Sequence, residues 1–218
     1  MSQQPTLYTP RLCLRPFTMA DAKRVQELAG DRRVAATTAR IPHPYPDGRA
    51  EAWIEGLQAT ALEGKDFHFA VTLAGTRTPG RELDPTDTGH LIGAVGLHAS
   101  ADPAHARAVL GYWIGVPYWN KGFATEAANA LLGFGFTRRG LNRIVAEHYA
   151  NNPASGRVME KLGMTREGLL RQHCAKWNQY LDVVVYGILH EEWRARRYTP
   201  LRPKPTHVPS RAVVMACL

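Results

Sequence analysis

Residues 109–126, Val-Leu-Gly-Tyr-Trp-Ile-Gly-Val-Pro-Tyr-Trp-Asn-Lys-Gly-Phe-Ala-Thr-Glu, constrain this chain more than any other stretch. Val109, Leu110, Tyr112, Trp113 and Ile114 are β-branched, aliphatic or aromatic, with no charge among them, and predict a strand. Pro117 ends it, because proline has no N–H to give a ladder. From Ala124 the apolar residues Ala127, Ala128, Leu131, Leu132, Gly135 and Phe136 recur at the spacing of one helix face. Arg138 and Arg139 suit the negative end of that helix, and Gly140 suits the position just past it. A strand, a short glycine loop and a helix together make an anion cradle. The first helical amides lack internal partners, and the helix dipole adds positive charge there. Gly122 lets a phosphate approach the backbone closely, and Lys121 adds a full charge.

The loop does not fit the commonest phosphate motifs. A dinucleotide fold needs three spaced glycines, and a P-loop needs Gly-Lys followed by Ser or Thr; here Lys121 precedes Gly122. The run Trp119-Asn120-Lys121-Gly122-Phe123-Ala124 instead resembles the coenzyme A pyrophosphate loop of the GNAT acetyltransferases. That pattern is Gln or Arg, two residues, Gly, one residue, then Gly or Ala. Gly122 and Ala124 match it, and Trp119 replaces the first residue. The Trp, with Thr-Glu-Ala following, resembles the branch that contains the ribosomal-protein N-terminal acetyltransferases, the Rim type. A second motif agrees. Asn152-Pro153-Ala154-Ser155, continuing to Glu160-Lys161-Leu162-Gly163-Met164, resembles the Asn-x-x-Ser … Glu-Lys-Leu-Gly-Phe segment of that branch. The resemblance covers roughly residues 9–197. It implies an α+β fold of three layers, α/β/α. The sheet is mixed, mostly antiparallel, with six to seven strands. A central parallel pair is splayed to hold acyl-CoA, and helices cover both faces.

Composition narrows the class. At 218 residues and 44% hydrophobic, the chain holds one sizeable core. Cys13, Cys174 and Cys217 are too few and too scattered for a disulfide framework or a zinc site, which fits a reducing, cytoplasmic setting and no metal. Residues 1–5 carry neither a basic nor an apolar signal segment, and no apolar run approaches the roughly 20 residues that span a membrane. The net charge is +8, but six uncompensated basic residues lie between 194 and 218, leaving +2 for the rest. Residues 1–198 are therefore read as the acetyltransferase domain. Residues 199–218 are read as a basic, Pro-rich tail, solvated rather than bound to nucleic acid.

Along the chain, residues 6–15 alternate and predict a first strand. A helix follows over 18–29 with Thr18 as its cap, and Asp47 or Gly48 opens another that carries Trp53, Leu57 and Leu62. Residues 67–73 and 91–98 read as strands around a long loop, 74–89. Residues 143–149 read as a strand parallel to 109–114, joined to it by the helix over 123–138 in a right-handed crossover. Asn152 caps a helix with Pro153 at its first position and Gly163 at its end. Two more strands follow, 169–177 and 180–189, then a polar, aperiodic end.

Acetyl transfer to an amine needs a held cofactor, a donor for the developing oxyanion, a proton acceptor for the amine and a proton donor for the leaving thiolate. The resemblance implies backbone contacts from Trp113, Ile114, Gly115 and Val116 to the pantetheine arm of acetyl-CoA. It implies pyrophosphate contacts from Asn120, Lys121, Gly122, Phe123, Ala124 and Thr125, with Trp119 heading the loop. Splaying at 113–116 and 149–151 would admit the arm, Asn152 would bond it, and Arg157 would meet the adenosine 3′-phosphate. Ser155 takes the position proposed as thiolate proton donor in Rim-type enzymes; a Ser bonding its own helix backbone is the plain alternative. No Tyr lies between Asn152 and Gly163 to do this instead. For the base, Glu147 is the candidate, with His148 on the opposite face of the same strand. Val145, Cys174, His173 and Asp182 occupy the other positions considered.

The reading is an N-acetyltransferase moving acetyl from acetyl-CoA to a primary amine, on a protein N-terminus or a small molecule, by direct attack in a ternary complex. A cysteine acyl-enzyme is set aside, because no Cys sits in a matched motif. The alternatives are a larger acyl donor such as succinyl-CoA, or a nucleic-acid or ribosome-associated module whose acyl site is vestigial. A homodimer is implied by analogy with the branch alone.

Overall fold

In the computed structural model, residues 4–62, 66–74, 90–100 and 102–198 are described. The proposed tail and nearly all of the loop at 74–89 therefore lie outside the described residues. Eight strands form one sheet: β1 Leu7–Tyr8, β2 Leu12–Arg15, β3 Asp66–Leu73, β4 Leu91–Ala99, β5 Arg107–Ile114, β6 Arg143–Tyr149, β7 Thr165–Lys176 and β8 Gln179–Leu189. Their order is β1-β2-β3-β4-β5-β6-β8-β7. Every pairing is antiparallel except β5 with β6. The α-helices among the described residues are α1 Ala22–Ala29, α2 Arg32–Ala36, α3 Arg49–Leu62, α4 Phe123–Arg138, α5 Pro153–Leu162 and α6 His190–Tyr198. No helix among the described residues is long and apolar enough to cross a membrane.

Two buried clusters make the three layers. On one face Leu97, Leu110 and Ile144 pack against Ala128, Leu131 and Leu132 of α4 and Met159 of α5. On the other, Ala70 and Ala94 pack against Val25 of α1 and Ile54 of α3. The strand alternation makes this division: successive side chains point to opposite faces, so one strand serves both cores.

The expected sheet of six to seven strands has eight, because residues 6–15 form two short strands rather than one. Pro10 interrupts them at a turn closed by Thr9 N donating to Leu12 O. The expected strand at 169 begins at Thr165. Two helices lacked a legible signal. α2 is only five residues long. α6 is polar except for Trp193, which lies in the first core against Phe136, ring centroids 5.3 Å apart.

The predicted helix over 18–29 starts as a 3-10 turn, Met19–Asp21. Thr18 N donates to Asp21 Oδ2 at 2.9 Å, and Arg15 pairs with both carboxylate oxygens at 2.8 Å. Burial would raise the Asp21 pKa, but Arg15 and the Thr18 bonds outweigh it and hold the carboxyl below its ordinary value. A depressed carboxylate stabilises the fold above the unfolded value of about 4, and this contribution is lost as pH falls through the folded value. Asp21→Asn removes the carboxylate that pairs with Arg15, whose side chain is 12% exposed. The expected loss is about 3 kcal/mol, or roughly 6–12 °C in melting temperature, read by thermal denaturation at pH 7.

Candidate active site

β5 and β6 begin side by side and then part. The paired rows run from Arg107 with Arg143 to Leu110 with Ala146, and there they stop. β5 continues through Gly111 to Ile114, and β6 through Glu147 to Tyr149, without pairing each other. About 13 Å of β5 edge thus faces a slot. The slot opens earlier than the expected 113–116 and 149–151.

Not all of the expected backbone contacts remain available. Gly115 N donates to Ile92 O at 2.8 Å, so Gly115 and, by alternation, Trp113 face β4. Tyr112 and Ile114 face the slot instead. The Ile114 carbonyl accepts the Trp119 indole N–H at 2.6 Å, and the Val116 carbonyl accepts Trp119 N. Trp119 therefore braces the loop from within, a role for the residue that departs from the Gln or Arg pattern.

At the end of β5 the loop turns tightly. Asn120 has φ +59° and Gly122 has φ +79°, the left-handed region. A Cβ on Gly122 would meet only Arg11 Nη2, at 3.4 Å. Glu126 N bonds Gly122 O, so the amides of Phe123, Ala124 and Thr125 are the unpaired first donors of α4. Glu126 would be an unwelcome negative charge beside an anion, but it is neutralised. Arg11 pairs with its Oε2 at 2.6 Å, and Thr9 donates to its Oε1 at 2.6 Å. Burial would raise the Glu126 pKa; these donors lower it instead. Arg11 also donates to Lys121 O at 2.9 Å, which places a guanidinium at the loop. Lys121 itself folds back, its Nζ 3.0 Å from Pro117 O.

α5 brings the second motif to the slot. Asn152 sits at the cap position, but its side chain makes no cap hydrogen bond. Ser155 does not bond its helix backbone through its side chain as the plain alternative supposed. Its Oγ lies 2.8 Å from the Tyr112 hydroxyl, which also reaches the Ser155 carbonyl at 3.2 Å. Burial pushes Tyr112 up to about 12, against the opposing Ser155 hydrogen bond, so the phenol stays protonated. Tyr112 was missed because the search for a phenol was confined to α5. Alternation from Leu110, which faces α4 and α5, could have found it. Arg157 is exposed on α5, without a partner among the described residues.

A cavity of about 670 Å³ opens on the face that carries α1 and α3. His68, Gly96, Gly111 and Trp113 line it from the sheet, and Tyr45 and Trp53 from the facing loop and helix. Glu147 and Ser155 line it too. Glu147 faces the cavity, whereas His148 faces α5, where its ring is the nearest neighbour of Gly156. His173 and Asp182 line a different groove with Leu169 and Leu170, and neither Cys174 nor Val145 lines the cavity. Lys176 tethers the loop over the cavity by donating to the Thr38 and Ile41 carbonyls, both at 2.9 Å.

A parallel pair that parts beyond Leu110 and Ala146, a glycine loop leading into α4 and a cavity lined by Glu147 and Ser155 fit the class of transferases that seat an extended cofactor between two strands. The comparisons give the family. Residues 11–165 match the acetyltransferase (GNAT) domain, and the chain belongs to that family. It is 31% identical over 189 residues to an uncharacterised N-acetyltransferase, p20, of Bacillus licheniformis, covering 86% of this chain and 98% of that one. It is 24% identical over 155 residues to the ribosomal protein uS5 alanine N-acetyltransferase of Escherichia coli, covering 71% and 73%. Among solved structures, spermidine N-acetyltransferase of Vibrio cholerae, in complex with CoA and spermine, superposes with a TM-score of 0.69 at 22% identity, covering 85% and 99%.

Proposed function

We propose that this protein transfers an acetyl group from acetyl-CoA to a primary amine, by direct attack in a ternary complex. One observation carries the reading: β5 and β6 part beyond Leu110 and Ala146, beside a cavity lined by Gly111, Tyr112 and Glu147, and β5 runs on toward the Gly122 loop. The α4 amides, with Arg11 beside them, hold the pyrophosphate. Tyr112 and Ile114 line the pantetheine arm, with Asn152 across the slot and Arg157 placed for the 3′-phosphate. Ser155 protonates the departing thiolate. Either oxygen can donate across its 2.8 Å contact with Tyr112; in this reading Tyr112 donates, and the serine's own proton points at the sulfur.

The acceptor is an amine small enough to enter a cavity of about 670 Å³, at the end of a peptide or on a small molecule. The uS5-alanine enzyme supports the peptide, and the spermidine enzyme supports the polyamine. The test is thermal stability with acetyl-CoA, CoA, NAD and ATP, each titrated alone. At 100 times its dissociation constant, acetyl-CoA is expected to add about 2.7 kcal/mol, or roughly 5–10 °C. CoA is expected to act similarly, and NAD and ATP not at all. Thiol release is then followed with Ala- and Ser-starting hexapeptides and with spermidine. No shift with either CoA species would sink the proposal.

A further inference from the structure

We propose that His68, backed by His98 and Asp66, accepts the proton that the attacking amine loses. This rests on the amine-acetylation reading above.

The sheet register lays out the acceptor floor. His68 pairs with Gly96, and Gly96 pairs with Gly111. Because Leu110 pairs with Ala146, Glu147 is next in line across the slot from Gly111. All four residues line the same cavity. A Cβ on Gly96 would come within 2.7 Å of His68 Nδ1 and 3.0 Å of its Cε1. The His68 ring therefore leans off its own strand and lies over Gly96. A Cβ on Gly111 would meet nothing within 4 Å. The space over Gly111 is thus open, at the mouth of the slot, with His68 about one strand spacing (~5 Å) to one side and Glu147 to the other. An amine attacking a thioester held in the slot would pass through this space.

Asp66, His68 and His98 bring their ligand-bearing atoms within 4.8 Å of one another. His98 Nδ1 lies 3.2 Å from Asp66 Oδ1, and the two imidazole rings meet edge to face at 4.6 Å. Trp53 covers His68 from α3, its ring 5.9 Å away. The charged and titratable groups around His68 are Asp66 on β3, His98 on β4, Arg40 and Tyr45 on the facing loop, Arg49 on α3 and Glu147 on β6. Burial, then His98 and Arg40, push His68 down to about 4, with Asp66 opposing. His68 is therefore a neutral acceptor across the physiological range. Asp66 favours the charged form that His68 takes transiently.

The step balances. The neutral amine nitrogen bonds the acetyl carbonyl carbon, the carbon–sulfur bond breaks, and its electron pair leaves on sulfur. The amine proton goes to His68, the sulfur takes a proton from Ser155, and Ser155 regains one from solvent through the Tyr112 hydroxyl 2.8 Å away. His68 returns its proton to solvent past His98 and Asp66.

The experiment uses the full chain and the fastest acceptor among the two hexapeptides and spermidine. His68→Gln is expected to lower kcat about 100-fold while CoA affinity stays within twofold. His68→Ala, which leaves room over Gly96, is expected to recover turnover with added imidazole without a change in melting temperature. Gly96→Ala keeps all three polar side chains but displaces the ring, and is expected to lower kcat with CoA affinity intact. Wild-type turnover in His68→Ala, or a 100-fold loss in Glu147→Gln with none in His68→Gln, would overturn the proposal. Wild-type protein that binds CoA but releases no thiol with any of the three amines would overturn the parent reading and this one with it.

Discussion

Gly122→Glu is expected to weaken acetyl-CoA and CoA binding by at least about 100-fold. Gly122 sits at φ +79°, directly before the three unpaired amides of α4. A glutamate there carries its charge into the position that the proposed function gives to the pyrophosphate. Losing two charge-assisted hydrogen bonds at about 1.5–3 kcal/mol each accounts for that factor without any repulsion term. The fold is expected to survive. A non-glycine residue in the left-handed region costs about 1 kcal/mol, and the new carboxylate finds Arg11 beside it. Calorimetric titration with CoA, together with a melting curve, separates the two effects. An affinity within threefold of wild type would mean that this loop does not hold phosphate.

The second large effect is on turnover. Ser155→Ala is expected to reduce kcat about 100-fold and leave CoA affinity within a factor of about two, because the proton donor proposed here acts only as the thiolate leaves. Tyr112→Phe leaves the serine in place but removes its buried partner at 2.8 Å. Its expected cost is about 10-fold in kcat and about 1 kcal/mol in stability. Thiol release and CoA titration on both variants make the check. If both lose stability and neither loses kcat, the pair is a packing feature and the thiolate is protonated from elsewhere.

Local readings were the dependable ones. The strand at β5, the glycine loop, α4, β6 and α5 were all legible, because each is a short-range pattern: an apolar run, a proline stop, a 3.6-residue period, a capping position. The parallel crossover followed from their order, since a strand–helix–strand connection has one favoured hand. The break at Pro10 was a local signal that the alternation on either side of it obscured. α6 escaped because a helix anchored by one tryptophan has no period to read.

The site divides the same way. The glycine loop is a property of one continuous segment, so the turn at Gly122 was legible in the sequence. Arg11 on Glu126 spans 115 positions, and Tyr112 on Ser155 spans 43. No short-range pattern names either partner, and alternation from Leu110 gives only the face that Tyr112 takes. Alternation says which face a strand residue takes, but not which helix covers that face.

By itself the sequence determined a mixed fold of this family, a tight glycine loop leading into α4 and a serine on the helix beyond it. It did so because backbone geometry and helix capping depend on neighbours a few residues away. The tertiary structure alone decided where β5 leaves β6, which phenol meets Ser155, and that His68 leans across Gly96 toward Gly111. Those contacts depend on strand order and register, and register is set by the packing of both sheet faces at once.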